Sequence, residues 1–214
     1  MYRTISIIVL LATFGGIGLT CLVWPCCKCW REPMKSLTKF FTLLFVEQKL
    51  SLMGMLRKLV FLASLVCFVV LVITGFWNPL VHGEHISGYL MMIHATFAPV
   101  FAICLAVLAI MWARNARFCS CDWPWLQGLI RRATLVKTEC EDETCPGGVL
   151  PKITFWLVVV LALPLILSIV LSMLPLAGTH WQEILMGVHR YVALAFAVVA
   201  IVHIHLMARA EMQR

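Results

Sequence analysis

Long apolar runs alternate with more polar segments along this chain. Five runs approach or exceed the roughly 20 apolar residues that a helix needs to cross a bilayer. They lie at 5–24, 59–77, 87–113, 153–176 and 181–208. Because backbone groups in lipid must be paired within the protein, each run predicts a transmembrane helix. The predicted fold is all-α, a four-helix membrane bundle preceded by one additional N-terminal helix.

The pattern divides the chain into two regions. Residues 1–55 contain the first span, a cysteine-bearing segment and a stretch with apolar residues at helical spacing. We read the first span as a retained anchor, because no convincing small-residue cleavage site follows it. The periodic stretch predicts a helix along the membrane surface, for anchoring or for docking a partner. Its apolar residues are Leu37, Phe40, Phe41, Leu44 and Phe45. Residues 56–214 form the four-helix domain, with a cysteine-bearing loop at 114–152.

Composition and charge narrow the class of protein. Apolar residues make up 62% of the chain and charged residues 13%, which excludes an ordinary soluble enzyme. The net charge is +7, and the charged residues lie mostly in the gaps between the apolar runs. We therefore attribute them to membrane topology and to contact with lipid headgroups, and we expect no nucleic-acid partner. All of the 17 Lys and Arg residues except Arg3 and Arg190 fall on one side. The positive-inside rule then places the N-terminus outside and the C-terminus in the cytoplasm of a cell's inner (plasma) membrane.

Two histidines lie within the apolar spans at similar depth. His94 is about two turns into the third span and His189 about two turns into the fifth. One span separates them, so the two helices run parallel and both histidines fall in the outer half of the bilayer. Two facing imidazoles at one depth are what six-coordinate haem iron requires. The sequence therefore predicts a haem b with His94 and His189 as axial ligands.

A third histidine shares that helix face. His203 follows His189 by fourteen residues, which is within roughly 40° of the same face and about 21 Å further along. Leu108 occupies the matching position beyond His94, so no histidine opposes His203. His203 is predicted as a second haem ligand or as a quinone contact. Three residues could supply the missing second ligand: Met53, Met55 and Lys58. Four histidines are expected to be interfacial or to serve as hydrogen-bond partners: His82, His85, His180 and His205.

Seven cysteines fall in the two segments predicted to be cytoplasmic. They are Cys26, Cys27, Cys29, Cys119, Cys121, Cys140 and Cys145. Thiolates at short spacing can hold zinc or an iron–sulfur cluster, but the spacings CCxC, CxC and Cx4C are not a paired CxxC motif. Metal binding and simple packing both stay open. Disulfides are not expected in the cytoplasm, although the inverted orientation would favour them.

Several stretches together resemble one family. They are LVFLASLVCFVVLVITGFW, LMMIHATFA, KITFWLVVV and VHRYVALAFAVVAIVHIHLMAR. Over residues 56–209 they resemble the cytochrome b, or gamma, subunit of membrane-bound formate dehydrogenases, and more distantly hydrogenase and thiosulfate-reductase cytochromes b. The resemblance implies that His94 and His189 hold one haem and that menaquinone or ubiquinone binds near His203. The histidine that in the family holds a second, inner haem falls at Phe61, which cannot ligate iron.

The expected function is electron transfer in a respiratory oxidoreductase complex. The chain would carry electrons between an iron–sulfur or cytochrome c subunit and the quinone pool, with substrate chemistry in another subunit. A rival function is a transporter or proton carrier in which His94 and His189 relay protons without haem. A thiol–disulfide membrane protein using Cys67 or Cys104 is a third, but it lacks paired intramembrane cysteines.

Overall fold

The computed structural model describes residues 1–23, 52–119, 122–123, 149–174 and 178–213, and in these ranges it contains five long helices. They are α1 (Tyr2–Val23), α2 (Leu52–Val81), α3 (Gly88–Ala113), α4 (Val149–Met173) and α5 (Thr179–Gln213). No strand occurs in these ranges. All five helices are long and apolar enough to cross a membrane, so the predicted all-α, five-span architecture is confirmed. The predicted surface helix near residues 37–45 lies outside the described residues.

The large apolar side chains of these helices mostly face outward. Ile110 is 78% exposed, Met92 70% and Leu163 67%, all within the spans. In water such a surface would be strongly unfavourable, whereas lipid tails are a good solvent for it. The chain is therefore a multi-pass membrane protein.

A tight turn joins α2 to α3. The amides of His82 and Gly83 both donate to the carbonyl of Asn78, at 2.9 and 3.0 Å, which satisfies the end of α2. Gly83 has a φ of 76°, a left-handed conformation that glycine adopts without steric cost. Because the turn is short, α2 and α3 run antiparallel and share much of their length.

The five helices form two hairpins and a closing helix. Helix α2 packs along α3, and α4 packs along α5, while α3 and α4 touch more sparingly. Helix α1 contacts both α5 and α2, and so closes the ring. We call the end of the bundle where α1, α3 and α5 begin the N side, and the opposite end the C side.

Helix α1 is attached through its first residues. The hydroxyl of Tyr2 donates to the carbonyl of Arg190 at 3.3 Å, and the Tyr2 ring meets Tyr191 edge to face at 5.3 Å. The guanidinium of Arg3 donates to the carbonyl of Leu80 at 2.9 Å. These contacts fix the N side of α1 against the end of α2 and against α5. Further along α1, a Cβ added at Gly15, Gly16 or Gly18 would meet no atom within 4 Å.

The core of the bundle lies at mid-span. Its buried residues come from α2, α3, α4 and α5: Cys67, Phe101, Val158, Ala162, Phe196 and Ala200. The cluster combines two aromatic rings that pack edge to face, Phe101 and Phe196, with the small side chains of Ala162 and Ala200, and it joins the two hairpins.

Candidate functional site

The register between α3 and α5 is fixed by two phenylalanines. Phe101 follows His94 by seven residues, and Phe196 follows His189 by the same number. Their rings pack edge to face with centroids 5.9 Å apart. Because α3 and α5 run in the same direction, equal offsets place His94 and His189 at one level on the N side of this contact.

The ring of His94 is held by the end of α2. Its Nδ1 atom lies 3.0 Å from the hydroxyl oxygen of Thr74. That hydroxyl gives its own proton to the carbonyl of Val70 at 2.7 Å, so it accepts from His94 Nδ1–H. Gly75 lies against the same ring, since a Cβ there would be 3.1 Å from His94 Cε1. In this arrangement Nδ1 of His94 is the donor, and Nε2 keeps its lone pair.

The ring of His189 is held by α4. Its Nδ1 lies 3.0 Å from the carbonyl oxygen of Leu165 and 3.5 Å from the hydroxyl of Ser168. A carbonyl oxygen can only accept, so Nδ1 carries the proton and Nε2 keeps its lone pair. His94 and His189 thus reach the same protonation pattern through different partners.

This donor set can be tested against the chemistry of haem. Metal-ligating histidines typically donate one ring N–H to a protein acceptor and bind the metal through the other nitrogen. His94 and His189 both meet this condition, at one level, and come from different hairpins. No group of three His, Cys, Asp or Glu side chains suited to a metal ion occurs in the described ranges. His94 and His189 are the residues that would hold haem iron, whereas zinc would need more ligands.

An aromatic layer closes the C side of the histidine pair. It consists of Phe68, Phe101 and Phe196, one ring each from α2, α3 and α5. Phe68 lies 6.1 Å from Phe101 and 6.3 Å from Phe196, measured between centroids. These rings separate the level of His94 and His189 from the level below.

A cavity lies on the C side of this layer. It is bounded mainly by apolar and aromatic side chains, including Phe61, Phe68, Leu108, Trp112 and Phe155. Three of its polar contributors come from different helices: Ser64, Trp112 and His203. Leu108 and His203 each lie fourteen residues after a histidine of the pair, so the α3 and α5 register holds here too. The cavity is an apolar chamber with a few groups able to form hydrogen bonds.

His203 faces this chamber with a hydrogen bond at its back. Its Nδ1 lies 2.9 Å from the hydroxyl oxygen of Thr154 on α4, and its ring is 6.2 Å from that of Phe155. The Thr154 hydroxyl in turn reaches the carbonyls of Leu150 at 3.0 Å and Pro151 at 3.1 Å. Helix α4 thus holds His203 as it holds His189, one level below, but through a side-chain hydroxyl and not a main-chain carbonyl.

Phe61 lines the same chamber as His203. It packs against Trp112 with centroids 5.7 Å apart. No second iron ligand is provided at this position, since phenylalanine has no donor atom. Met53 and Met55 are 61% and 59% exposed, and neither they nor Lys58 lines the chamber. Phe61 therefore adds an apolar ring, and no iron ligand, to the lining of the chamber.

A buried ion pair fixes the C-side end of α4. Lys152 Nζ lies 2.8 Å from Asp122 Oδ2, with 8% and 3% of the two side chains exposed. The backbone N–H of Cys119 donates to the same oxygen at 2.7 Å. The bond from Lys152, aided by the Cys119 amide, holds the pKa of the Asp122 carboxyl below its usual range. Nearby, the indole of Trp156 donates to the carbonyl of Ala116 at 2.9 Å.

The remaining predicted residues are not brought to either site. His82, His85 and His180 are exposed, and His205 is partly buried, with an Nε2 that has no hydrogen-bond partner in the described part of the chain. Cys119 is an exposed free thiol. The other six cysteines proposed as metal ligands lie outside the described residues: Cys26, Cys27, Cys29, Cys121, Cys140 and Cys145.

Sequence reasoning missed the residues behind the histidines. Thr74, Thr154 and the Leu165 carbonyl hold the three rings, but none carries a motif of its own. A threonine in an apolar span usually bonds to its own helix, as Thr96 does with the carbonyl of Met92. Only the packing of neighbouring helices distinguishes Thr74 and Thr154 from Thr96.

Comparison of this chain with family models, with curated proteins and with solved structures finds no match.

Proposed function

We propose that this protein is a membrane cytochrome b subunit of a respiratory oxidoreductase complex, which transfers electrons between a partner redox subunit and the quinone pool. One observation carries the proposal. His94 and His189 lie at one level on different hairpins, and each has its Nδ1–H bonded to a neighbouring helix, which leaves Nε2 as a lone-pair donor.

The two histidines are the residues that would hold haem b. Iron with two neutral imidazole ligands exchanges single electrons without changing its ligands, which is the chemistry that a bound haem would supply. The contributions of the protein are orientation and exclusion of water. Thr74 and Leu165 fix the rings, while Phe101 and Phe196 close the site on one side.

The chamber at His203 is proposed as the site of a menaquinone or ubiquinone. A quinone ring is flat and apolar, with an oxygen at each end that requires a hydrogen-bond partner. The chamber offers aromatic walls with Ser64, Trp112 and His203 as polar groups. Apolar walls with a few polar groups are the usual lining of a small-molecule site. The cavity of about 90 Å³ is smaller than the usual range of roughly 300–1,000 Å³, so a quinone would have to widen it. Phe61 leaves the chamber without a second iron ligand, which favours quinone over haem here.

The proposed orientation of the chain in the membrane follows from its charge distribution, and the side on which a partner would dock follows from that orientation. The C-side segments and loops hold nearly all of the Lys and Arg residues, so we place the C side in the cytoplasm of the inner (plasma) membrane. The paired histidines then lie toward the outer surface. An iron–sulfur or cytochrome c subunit docked at that surface would be the electron partner.

The decisive experiment is a visible spectrum of the purified full-length chain. We expect b-type bands in the reduced-minus-oxidised difference and about one haem per chain, as one pair of axial ligands requires. His94→Ala and His189→Ala should each abolish the bands. His205→Ala is the matched control, since His205 lies on the same helix as His189 but on nearly the opposite face.

Three results would count against the proposal. A folded chain without haem would leave a proton carrier with His94 and His189 as relay groups as the better interpretation. Retention of the bands in both alanine variants would exclude these ligands. A stoichiometry near two would mean that the chamber holds haem after all.

A further inference from the structure

The hydroxyl of Thr154 has more than one way to satisfy the ring of His203. It lies 2.9 Å from His203 Nδ1, and it shares its proton between the carbonyls of Leu150 and Pro151 at 3.0 and 3.1 Å. In this arrangement the hydroxyl accepts from Nδ1–H, and the Nε2 atom of His203 is a bare acceptor.

A rotation of the same hydroxyl reverses these roles. Thr154 would then donate to a bare Nδ1, and Nε2 would carry the ring proton. The carbonyls of Leu150 and Pro151 lie inside α4, so each keeps the helical N–H four residues ahead as a partner. Both arrangements keep the Thr154 hydroxyl, His203 Nδ1 and the two carbonyls hydrogen-bonded, so the choice between them depends on the partner that Nε2 meets in the chamber.

The other histidine bonded to α4 lacks this freedom. His189 meets the carbonyl of Leu165, which accepts and cannot donate, so its proton stays on Nδ1. The hydroxyl behind His94 is also more restricted. Thr74 makes its shortest bond, 2.7 Å, to the single carbonyl of Val70, and its other carbonyl contact is at 3.3 Å. Of the three histidines, His203 is therefore the one best suited to change its tautomer.

A ligand that exists in two redox forms makes use of such a change. A quinone offers carbonyl oxygens, which need a donor, whereas the quinol offers hydroxyl groups, which need an acceptor. On the basis of the proposed quinone site, we infer that Thr154 is a positioning residue. Its hydroxyl lets His203 bind both the quinone and the quinol. His203 donates from Nε2–H to the quinone and accepts at bare Nε2 from the quinol. The exchange of tautomer moves no net proton into or out of the protein.

The test compares the affinity of the two redox forms for the full-length chain. The probe is a short-chain 2-methyl-1,4-naphthoquinone, added in its oxidised form or, under anaerobic conditions, in its reduced form. Thr154→Val keeps the shape of the side chain but removes the hydroxyl. In the variant, Nδ1 of His203 faces an apolar side chain. A buried Nδ1–H without an acceptor is less tolerated than a bare Nδ1, so the ring proton stays on Nε2. We expect quinol binding to weaken about tenfold, equivalent to one lost hydrogen bond, and quinone binding to change little.

Thr154→Ser restores the hydroxyl and should restore quinol binding, whereas His203→Ala should weaken both forms. Equal weakening of both forms by Thr154→Val, or no rescue by serine, would overturn the tautomer role and leave the quinone site standing. If the unaltered chain bound neither form, the quinone site itself would be wrong. Haem content provides an independent check of folding, since Thr154 is a level away from His94 and His189.

Discussion

His189 donates its Nδ1–H to the main-chain carbonyl of Leu165 across 3.0 Å, so α4 orients the imidazole carried by α5. In the first hairpin the acceptor is a side chain, because the hydroxyl of Thr74 on α2 accepts from Nδ1–H of His94 on α3. The two halves of the proposed haem site thus use the same bond with different acceptors. Only the threonine can be removed by mutation.

Thr74→Val should weaken haem binding. The valine has nearly the same shape but no acceptor for His94 Nδ1–H, so the ring loses its fixed orientation. Loss of such a partner typically lowers metal affinity about 10- to 100-fold. Haem titration of the apo-protein measures this. Thr96→Val is the matched control, since Thr96 is exposed and bonds within its own helix to Met92. An equal effect of both substitutions would show that Thr74 has no special role.

Gly75→Ala should also displace His94. Within a helix this substitution normally stabilises by about 1 kcal/mol. Here the added methyl would lie 3.1 Å from His94 Cε1, closer than a ring and a methyl normally pack, so the ring must move. We expect a folded chain with reduced haem content. Gly16→Ala on α1 should leave haem content unchanged, since its methyl meets no atom within 4 Å. Full haem content in Gly75→Ala would contradict the close packing of the ring.

Phe61→His should convert the chamber. Phe61 and His203 line it together, and the substitution adds a second imidazole to the lining. We expect haem content to rise from about one toward about two per chain, because iron then has two axial ligands at this level. Quinone affinity should fall in parallel. Phe68→His is the comparison, since Phe68 lines the same chamber but also belongs to the aromatic layer. An unchanged haem content in Phe61→His would mean that the two side chains do not oppose each other.

The Asp122–Lys152 pair predicts a pattern of stability changes. Lys152→Met leaves a buried carboxylate without its counter-ion, so we expect a loss near the lower end of about 3–5 kcal/mol. Replacing both residues with apolar ones should cost less than Lys152→Met alone. Thermal unfolding in detergent, analysed as a double-mutant cycle, measures the difference. Additive losses would show that the two residues are not coupled.

The same pair predicts a dependence on pH. The pKa of Asp122 is lowered in the folded protein, so its stabilising effect is complete above the unfolded value of about 4 and declines as the pH falls below it. The stability advantage of the natural chain over Asp122→Asn should therefore shrink below about pH 4. An advantage that stays constant down to about pH 2 would contradict the lowered pKa.

The fold was predictable because length and hydropathy alone decide whether a helix crosses lipid. Some helices extend past the predicted apolar limits, as α2 does from Leu52 to Val81 against the predicted 59–77, because a helix continues into the interface where charged residues are tolerated. The levels of His94 and His189 followed from counting residues. The hydrogen bonds behind them did not, because they depend on the rotation of each helix about its axis. That rotation is set by packing such as the Phe101–Phe196 contact, which no local pattern encodes.

The layer formed by Phe68, Phe101 and Phe196 makes the protein modular. It lies between the level of His94 and His189 and the chamber at His203, and the histidines on its two sides are hydrogen-bonded to different residues. Changes on opposite sides of the layer share no partners, and their free-energy effects should add to within about 0.5 kcal/mol. Side chains on one side of the layer could therefore be redesigned while those on the other side keep their packing.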